Sequence, residues 1–475
     1  MKNKKKFSGN YFKEFGTAIA KGDIGVKLSL LVMGAGYIAR KQIINGLIMI
    51  ALEAVFIVTC VFYAAPNLAK FGTLGTVQFE QVFDPLTLTS KVNDYDNSFL
   101  ILLNSIISLC IIAAFIFIYI ANIKAVYRLQ QQKEAGKHIN TFREDIRALF
   151  NEKFHITLLS LPCLGIILMN IIPILVLVAV AFTNYDQQHM PPSALFTWVG
   201  WKNFKQLFTN STTLTFGYSF GKILIWTLEW AVLSTLTTFI GGILMAQFIN
   251  SKKTKLPKLW RTLFMVAIAV PQFVTLLLVR NFFADSGIVN TICSNIGLTD
   301  FLKSMGLVSS NLTYIPFLTN PTWAKVMIVL INIWVGVPYQ MLIATGVLMN
   351  IPVDQLESAR IDGANSFQIF WKITMPYVLF ITGPSLITDF VRNINNFNVI
   401  YLLTQDVYVT SDQLLANSNA KEVDLLVTWL FRLTNEYYNY KIASVIGIIV
   451  FIICAGFTLV TFTQTIKGSR EEDFR

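Results

Sequence analysis

The sequence predicts an all-α polytopic membrane protein, and three observations carry that prediction. Of its 475 residues, 54% are hydrophobic and only 14% charged, giving a positive mean hydropathy of +0.57. Several nearly uncharged runs exceed the roughly 18 residues that a helix needs to cross a bilayer. None of these runs alternates with period 2, which disfavours a barrel, and a helix satisfies every backbone polar group where lipid offers no partner.

Taken in order, the basic start MKNKKKFSGNYFKEF resembles a signal-peptide n-region. Its apolar run comes late and no small-residue cleavage pattern follows, so a retained cytoplasmic tail is expected. Val26 to Ile38 is short and Gly-interrupted (MGAGY) and reads as an interfacial or re-entrant segment. Eight spanning helices are then expected: Ile44 to Ala65, Phe99 to Ala121, His155 to Thr183, Gly221 to Ile249, Leu259 to Phe283, Ala324 to Met349, Tyr377 to Leu403 and Ile442 to Ile466. Glu53 and Glu229 fall inside spans without an evident partner, which suggests helix packing or snorkelling. Pro173, Pro271, Pro338 and Pro384 interrupt spans. Gly383-Pro384 is the preferred hinge, with a static kink as the alternative.

Orientation follows from basic residues in short loops. Asn122 to Phe154 carries Lys124, Arg128, Lys133, Lys137, Arg143, Arg147 and Lys153, and SKKTKLPK adds Lys252, Lys253, Lys255 and Lys258. The alternate connections, Pro66 to Ser98 and Ala284 to Trp323, are poor in Lys and Arg, so both termini are placed in the cytoplasm. The same reading accounts for the net charge of +11 without nucleic acid, because the basic residues sit in loops and not on one folded face. Five scattered cysteines, four of them in apolar runs, form neither a disulfide framework nor a CxxC pattern, and the three histidines are too dispersed for a metal site. There is no GxxxxGK[ST] phosphate loop and no triad signature, so no enzymatic activity, cofactor or ATP site is expected on this chain.

Between the sixth and seventh spans lies LESARIDGANSFQIFWKITMP, Leu356 to Pro376, whose charges and amides cannot sit in lipid. Asp354 with Glu357 forms a capping-box pattern for a short helix after Pro352, Gly363 is placed to end it, and Asn365 or Ser366 can start a second. The expected product is a cytoplasmic helix-turn-helix knob with a small-residue tip; an ordinary loop helix lying on the membrane is the alternative. This segment closely resembles the EAA loop of ABC importer permeases, matching at Glu357, Ala359, Asp362, Gly363, Ala364 and Pro376, with Ser358 in place of the commoner Ala. AFTNY, VGWKNF, WVGVPY, NNFNVIYLLT and DLLVTWLFRLT extend the resemblance, from about Phe154 to the C-terminus, to the larger permease subunit of maltose and maltodextrin importers. Only Asn184 to Phe220 stands where enterobacterial members insert a large external domain, which is similar to the shorter Gram-positive form.

The resemblance implies a type I ABC importer permease fold. Residues 1–43 are then a tail and interfacial segment, 44–153 two accessory spans with a cytoplasmic loop, 154–466 a six-helix permease core with its coupling loop at 350–376, and 467–475 a tail. It also implies a bacterial cell-membrane location, docking of Glu357, Ser358, Ala359, Asp362, Gly363 and Ala364 into an ATPase, and ATP with Mg bound on that partner. Further implied partners are a second permease, two ATPase copies, a lipid-anchored extracellular sugar-binding protein and an oligosaccharide substrate. Malto-oligosaccharides are the expected cargo; a raffinose-type or galactan-derived sugar, or an ion-coupled secondary transporter, are the alternatives.

In the seventh span Asp389, Arg392, Asn393 and Asn396 recur at i, i+3, i+4 and i+7, which stacks them on one helix face. Such groups can hydrogen-bond sugar hydroxyls, or Asp389 and Arg392 can pair while the amides bond neighbouring helices. The family's mid-membrane sugar site includes the positions that match these four, with Val335, Gly336 and Tyr339 on the preceding span. Asp389 and Arg392 are more polar than their counterparts in the best-known member.

Overall fold

The computed structural model describes residues 11–84, 89–210, 215–251, 253–405 and 410–468. Most of the basic N-terminal tail, Lys252 and the end of the C-terminal tail lie outside them. Among the described residues the regular structure is helical apart from one antiparallel ribbon, Gln81–Asp84 paired with Thr89–Val92, and an isolated bridge between Thr183 and Trp198. Six described helices are long and apolar enough to cross a membrane: Ile43–Phe71, Ser98–Glu134, Phe154–Val180, Phe216–Asn250, Pro321–Leu348 and Tyr440–Thr463. They coincide with six of the expected spans.

The fifth and seventh expected spans are not single helices. Leu259 to Phe283 divides into Pro257–Ala269 and Gln272–Phe282, and Tyr377 to Leu403 divides into Met375–Ile394 and Phe397–Thr404. Val270 is extended (ψ 127°) because it precedes Pro271, whose ring disfavours the helical conformation of its neighbour. At the other break Asn396 leaves the helix and its side chain accepts from the Val399 amide, capping the next one. The Gly383-Pro384 pair, the preferred hinge, lies within the continuous Met375–Ile394 helix, and the backbone break is at Asn395-Asn396.

Three π turns, Cys60–Ala64, Ile167–Ile171 and Phe370–Thr374, each end two residues before a proline: Pro66, Pro173 and Pro376. Proline removes one backbone donor and crowds the carbonyl four residues earlier. Widening that turn lets the freed groups find other partners inside the helix.

The chain forms two compact units, residues 1–200 and 201–475. In the first, Val26 to Ile38 becomes two short helices, Ile24–Leu28 and Ala35–Ile38, neither able to cross a bilayer. Glu53 accepts from the Met33 amide at 2.8 Å, Tyr119 donates to the Leu30 carbonyl at 2.7 Å, and Arg40 pairs with Asp23 at 2.8 Å. Glu53 therefore has a partner: it satisfies the turn between the two short helices. Just after the ribbon, Asp96 accepts from Lys70 at 2.7 Å and from the amides of Thr76 and Val77, which precede the ribbon. Lys70 and these amides hold the Asp96 carboxyl below the usual carboxylate range.

In the second unit the Phe216–Asn250 and Pro321–Leu348 helices pack along much of their length. A Cβ at Gly242 would lie 2.4 Å from Gln340 Cβ, and one at Gly336 2.7 Å from Thr238 Cγ2, so glycines permit this approach. Trp226, Trp230, Leu276, Ile328, Ile400 and Leu425 belong to one core cluster; Phe239, Ile243, Met341 and Val378 belong to another.

Candidate functional site: a polar cavity at two helix breaks

Both helix interruptions open onto the same cavity, of about 690 Å³, within the second unit. Val270, Pro271 and Gln272 line it from one break, and Asn395, Asn396 and Phe397 from the other. Irregular backbone at membrane depth is tolerated where it borders a water-filled cavity, so the breaks and the cavity account for each other. Trp334, Val335, Gly336, Tyr339 and Gln340 line it from the Pro321–Leu348 helix, and Trp260 and Phe264 from the Pro257–Ala269 helix.

Of the seven residues expected at a substrate site, Val335, Gly336, Tyr339, Arg392, Asn393 and Asn396 line this cavity. Asp389 does not; it is buried behind the wall, where Gln340 Nε2 donates to its Oδ2 at 2.5 Å and Arg392 Nη2 pairs with its Oδ1 at 2.9 Å. A carboxylate inside a span is costly unless paired and hydrogen-bonded, and these two donors meet that condition. The Arg392 side chain keeps 60% exposure, and its guanidinium lies 6.0 Å from the Tyr339 ring centroid. One i, i+3 pair thus leaves the cation facing the cavity and the anion hidden.

The amides also divide. Asn393 donates to Thr235 Oγ1 at 2.9 Å and its carbonyl accepts from Trp230 at 3.1 Å, tying the helix end to its neighbour. Asn396 lies beyond the last residue of the Met375–Ile394 helix, so the helical face groups Asp389, Arg392 and Asn393 but not Asn396. Helical spacing did not reveal Gln340, Trp334, Gln272 or Asn395. Gln340 is a buried polar group in an apolar span, which is itself a signal, but its partner lies 49 positions away and no local pattern links them.

The segment Leu356 to Pro376, expected to be a knob, forms a second group. The helix Val353–Ile361 starts just after Pro352, as expected, but with no side-chain cap, so Asp354 is in its first turn and not its cap. There its charge still complements the helix dipole. Gly363 adopts φ +80° and the Ala364 amide reaches back to the Ala359 carbonyl at 2.9 Å, a left-handed helix ending that favours glycine. Asn365, with Gln368, forms the capping box of the next helix at Ser366–Ile369, which continues through the π turn into Met375–Ile394. The knob is thus attached to the cavity wall by continuous helix. Glu357, Ser358, Asp362 and Gly363 are exposed, Ala359 and Ala364 half-buried, and Ile361 and Phe367 are 85% and 71% exposed.

A helical bundle with broken helices around a polar cavity and an exposed helical knob fits the class of transport permeases. The profile of the binding-protein-dependent transport system inner membrane component family matches residues 238–468. The chain is 32% identical over 445 residues to the maltodextrin transport system permease protein MdxF of Bacillus subtilis, covering 93% of this chain and 95% of that protein. It is 31% identical to the galactooligosaccharides transport system permease protein GanP of the same organism, covering 93% and 97%. A bacterial ABC transporter involved in import of the acidic polysaccharide alginate shares the fold, with a TM-score of 0.52 at 22% identity, covering 69% of this chain and all of that one. The chain belongs to the binding-protein-dependent transport system inner membrane component family, the permeases of ABC transporters.

Proposed function

We propose that this chain is the permease subunit of an ATP-driven importer that moves malto-oligosaccharides into the cytoplasm by alternating access. The observation that carries the reading is the cavity at the two helix breaks, with Arg392, Asn393, Asn396 and Tyr339 on its wall. Amides and a guanidinium offer hydrogen bonds to hydroxyls, while Tyr339, Trp334 and Phe397 offer rings to the apolar sugar face. In this reading eight passes cross the membrane, six as continuous helices and two as broken ones. The N-terminal short helices lie at the interface and both termini are cytoplasmic. The name of the maltodextrin relative supports the cargo assignment.

The partners in this reading are a second permease, two ATPase subunits that bind ATP and Mg, and a lipid-anchored external sugar-binding protein; the host is a Gram-positive bacterium. Residues 1–153 supply the tail and accessory spans and 154–466 the permease core. The ATPase engages the exposed knob, Glu357 to Ala364, and its closure moves the helix that leads to Arg392. A ligand-driven transition needs differential contacts in two states, and here the knob supplies them.

A galacto-oligosaccharide cargo is the second reading, favoured by the name of GanP. Competition against uptake of a labelled malto-oligosaccharide, in vesicles holding the complete importer, separates the two. Unlabelled maltodextrins are expected to suppress uptake and galacto-oligosaccharides to leave it unchanged. The reverse pattern overturns the cargo, and ion-driven uptake by the isolated chain overturns the importer.

A further inference from the structure

A second cavity, about 250 Å³, lies within the first unit and is lined by Glu14, Thr17, Lys124, Tyr127, Arg128 and Gln131. The Tyr11–Lys21 helix packs there against Ser98–Glu134 through Phe15 and Ala18 on one side and Ile123 and Val126 on the other. Two cations converge on one carboxylate oxygen: Lys124 Nζ lies 2.9 Å from Glu14 Oε2 and Arg128 Nη2 3.4 Å from it. Lys124 and Arg128 hold the Glu14 carboxyl below the usual carboxylate range, so the carboxylate is ionised at neutral pH. Two cations and one carboxylate therefore line the cavity. The Lys124 side chain is 9% exposed, whereas that of Arg128 is 60% exposed and engages Glu14 only at the longer distance.

Depth places this cavity. The apolar run of the Ser98–Glu134 helix ends at Ala121. At 1.5 Å per residue, Lys124 lies about 4–5 Å and Arg128 about 10 Å beyond it. The polar zone of a bilayer occupies roughly 5–8 Å on each side of the hydrocarbon, so Lys124 lies at its inner part and the Arg128 backbone just past its outer edge, from which the long side chain can reach back. The short helix Ile24–Leu28 and the turn after it expose Ile24 and Leu31, both 78% accessible, together with Lys27. Apolar and basic groups side by side match the boundary between acyl chains and headgroups.

We infer that the Lys124–Arg128–Glu14 cavity is a binding site for the phosphate of an anionic phospholipid headgroup. Arg128 would turn its guanidinium outward to the phosphate, Lys124 would stay with Glu14 as a fixed charge beneath it, and Thr17 and Gln131 border the remaining polar surface. Glu14 repels the ligand in this arrangement, which sets a direct test. The full chain is purified in mild detergent from vesicles of equal phosphatidylglycerol and phosphatidylcholine, and the retained lipid is quantified by mass spectrometry.

Wild type is expected to retain phosphatidylglycerol over phosphatidylcholine, Arg128→Gln to lower that retention about fivefold, and Glu14→Gln to retain as much or more. Equal retention of the two lipids, or an Arg128→Gln variant that matches wild type, overturns the inference. Loss of retention in Glu14→Gln, with a lowered melting temperature, shows a purely structural ion triad and also overturns it. In a parallel arm inorganic phosphate is titrated onto the chain in pure phosphatidylcholine nanodiscs. Saturable binding abolished by Arg128→Gln, without any phosphatidylglycerol preference, assigns the site to free phosphate and rejects the lipid.

Discussion

At the scale of single residues, the seventh span shows how one helical face can serve two ends. Asp389 and Arg392 are one turn apart, yet the first is buried against Gln340 and the second faces the cavity. Arg392→Ala should therefore raise the half-saturating sugar concentration by roughly tenfold, the scale of a lost hydrogen bond to a charged group; unchanged uptake kinetics would remove Arg392 from the site. Tyr339→Ala and Asn396→Ala should likewise weaken or abolish uptake while leaving assembly with the ATPase intact. Asp96 supplies a pH test. Its carboxyl is held low in the folded state, so its stabilisation is present above the unfolded carboxylate pKa of about 3.9 and is lost as pH falls through the lower folded value. Asp96→Asn should cost roughly 2 kcal/mol at pH 7, and the gap from wild type in thermal melts should close in acid.

At the scale of elements, the prolines and glycines mark where helices deviate or approach. Pro271 ends a half-helix, while Pro66, Pro173 and Pro376 are absorbed by π turns and their helices continue. The difference was not legible locally: Pro271, like Pro173, lies in an apolar run, and whether the chain breaks depends on a neighbouring cavity that can solvate the backbone. The knob was legible, because its signals are short-range. Gly363 at the left-handed ending and Asn365 at the cap are one-residue requirements, although the first helix begins without the expected Asp354 cap. A methyl at Gly363 meets open space and costs only the left-handed strain, about 1–2 kcal/mol. Gly363→Ala is therefore expected to transport sugar and Gly363→Asp to insert in the membrane without transporting; uptake by Gly363→Asp would disprove docking at this surface. Between helices, Gly242→Ala should destabilise by about 1–3 kcal/mol through overpacking against Gln340, read as a lowered melting temperature in detergent.

At the scale of the whole molecule, the fold joins a polar cavity to an exposed knob through one helical path, from Ser366–Ile369 through the π turn to Met375–Ile394. Purification from the native membrane should yield this chain with a stoichiometric ATPase, and Gly363→Asp should release that partner; recovery of the chain alone from wild type would count against the proposed assembly. Sequence by itself determined the membrane class, six of the helical spans, the knob and most of the polar stripe. These follow from hydrophobic run length, capping chemistry and helical period, all of which act within a few residues. Only the tertiary structure decided that two of the expected spans are interrupted, that Asp389 faces away from the cavity, that Glu53 satisfies a distant turn, and that Lys124, Arg128 and Glu14 meet. Each of these depends on groups brought together from tens of positions apart, where burial and pairing, and not local pattern, set the energy of a polar side chain.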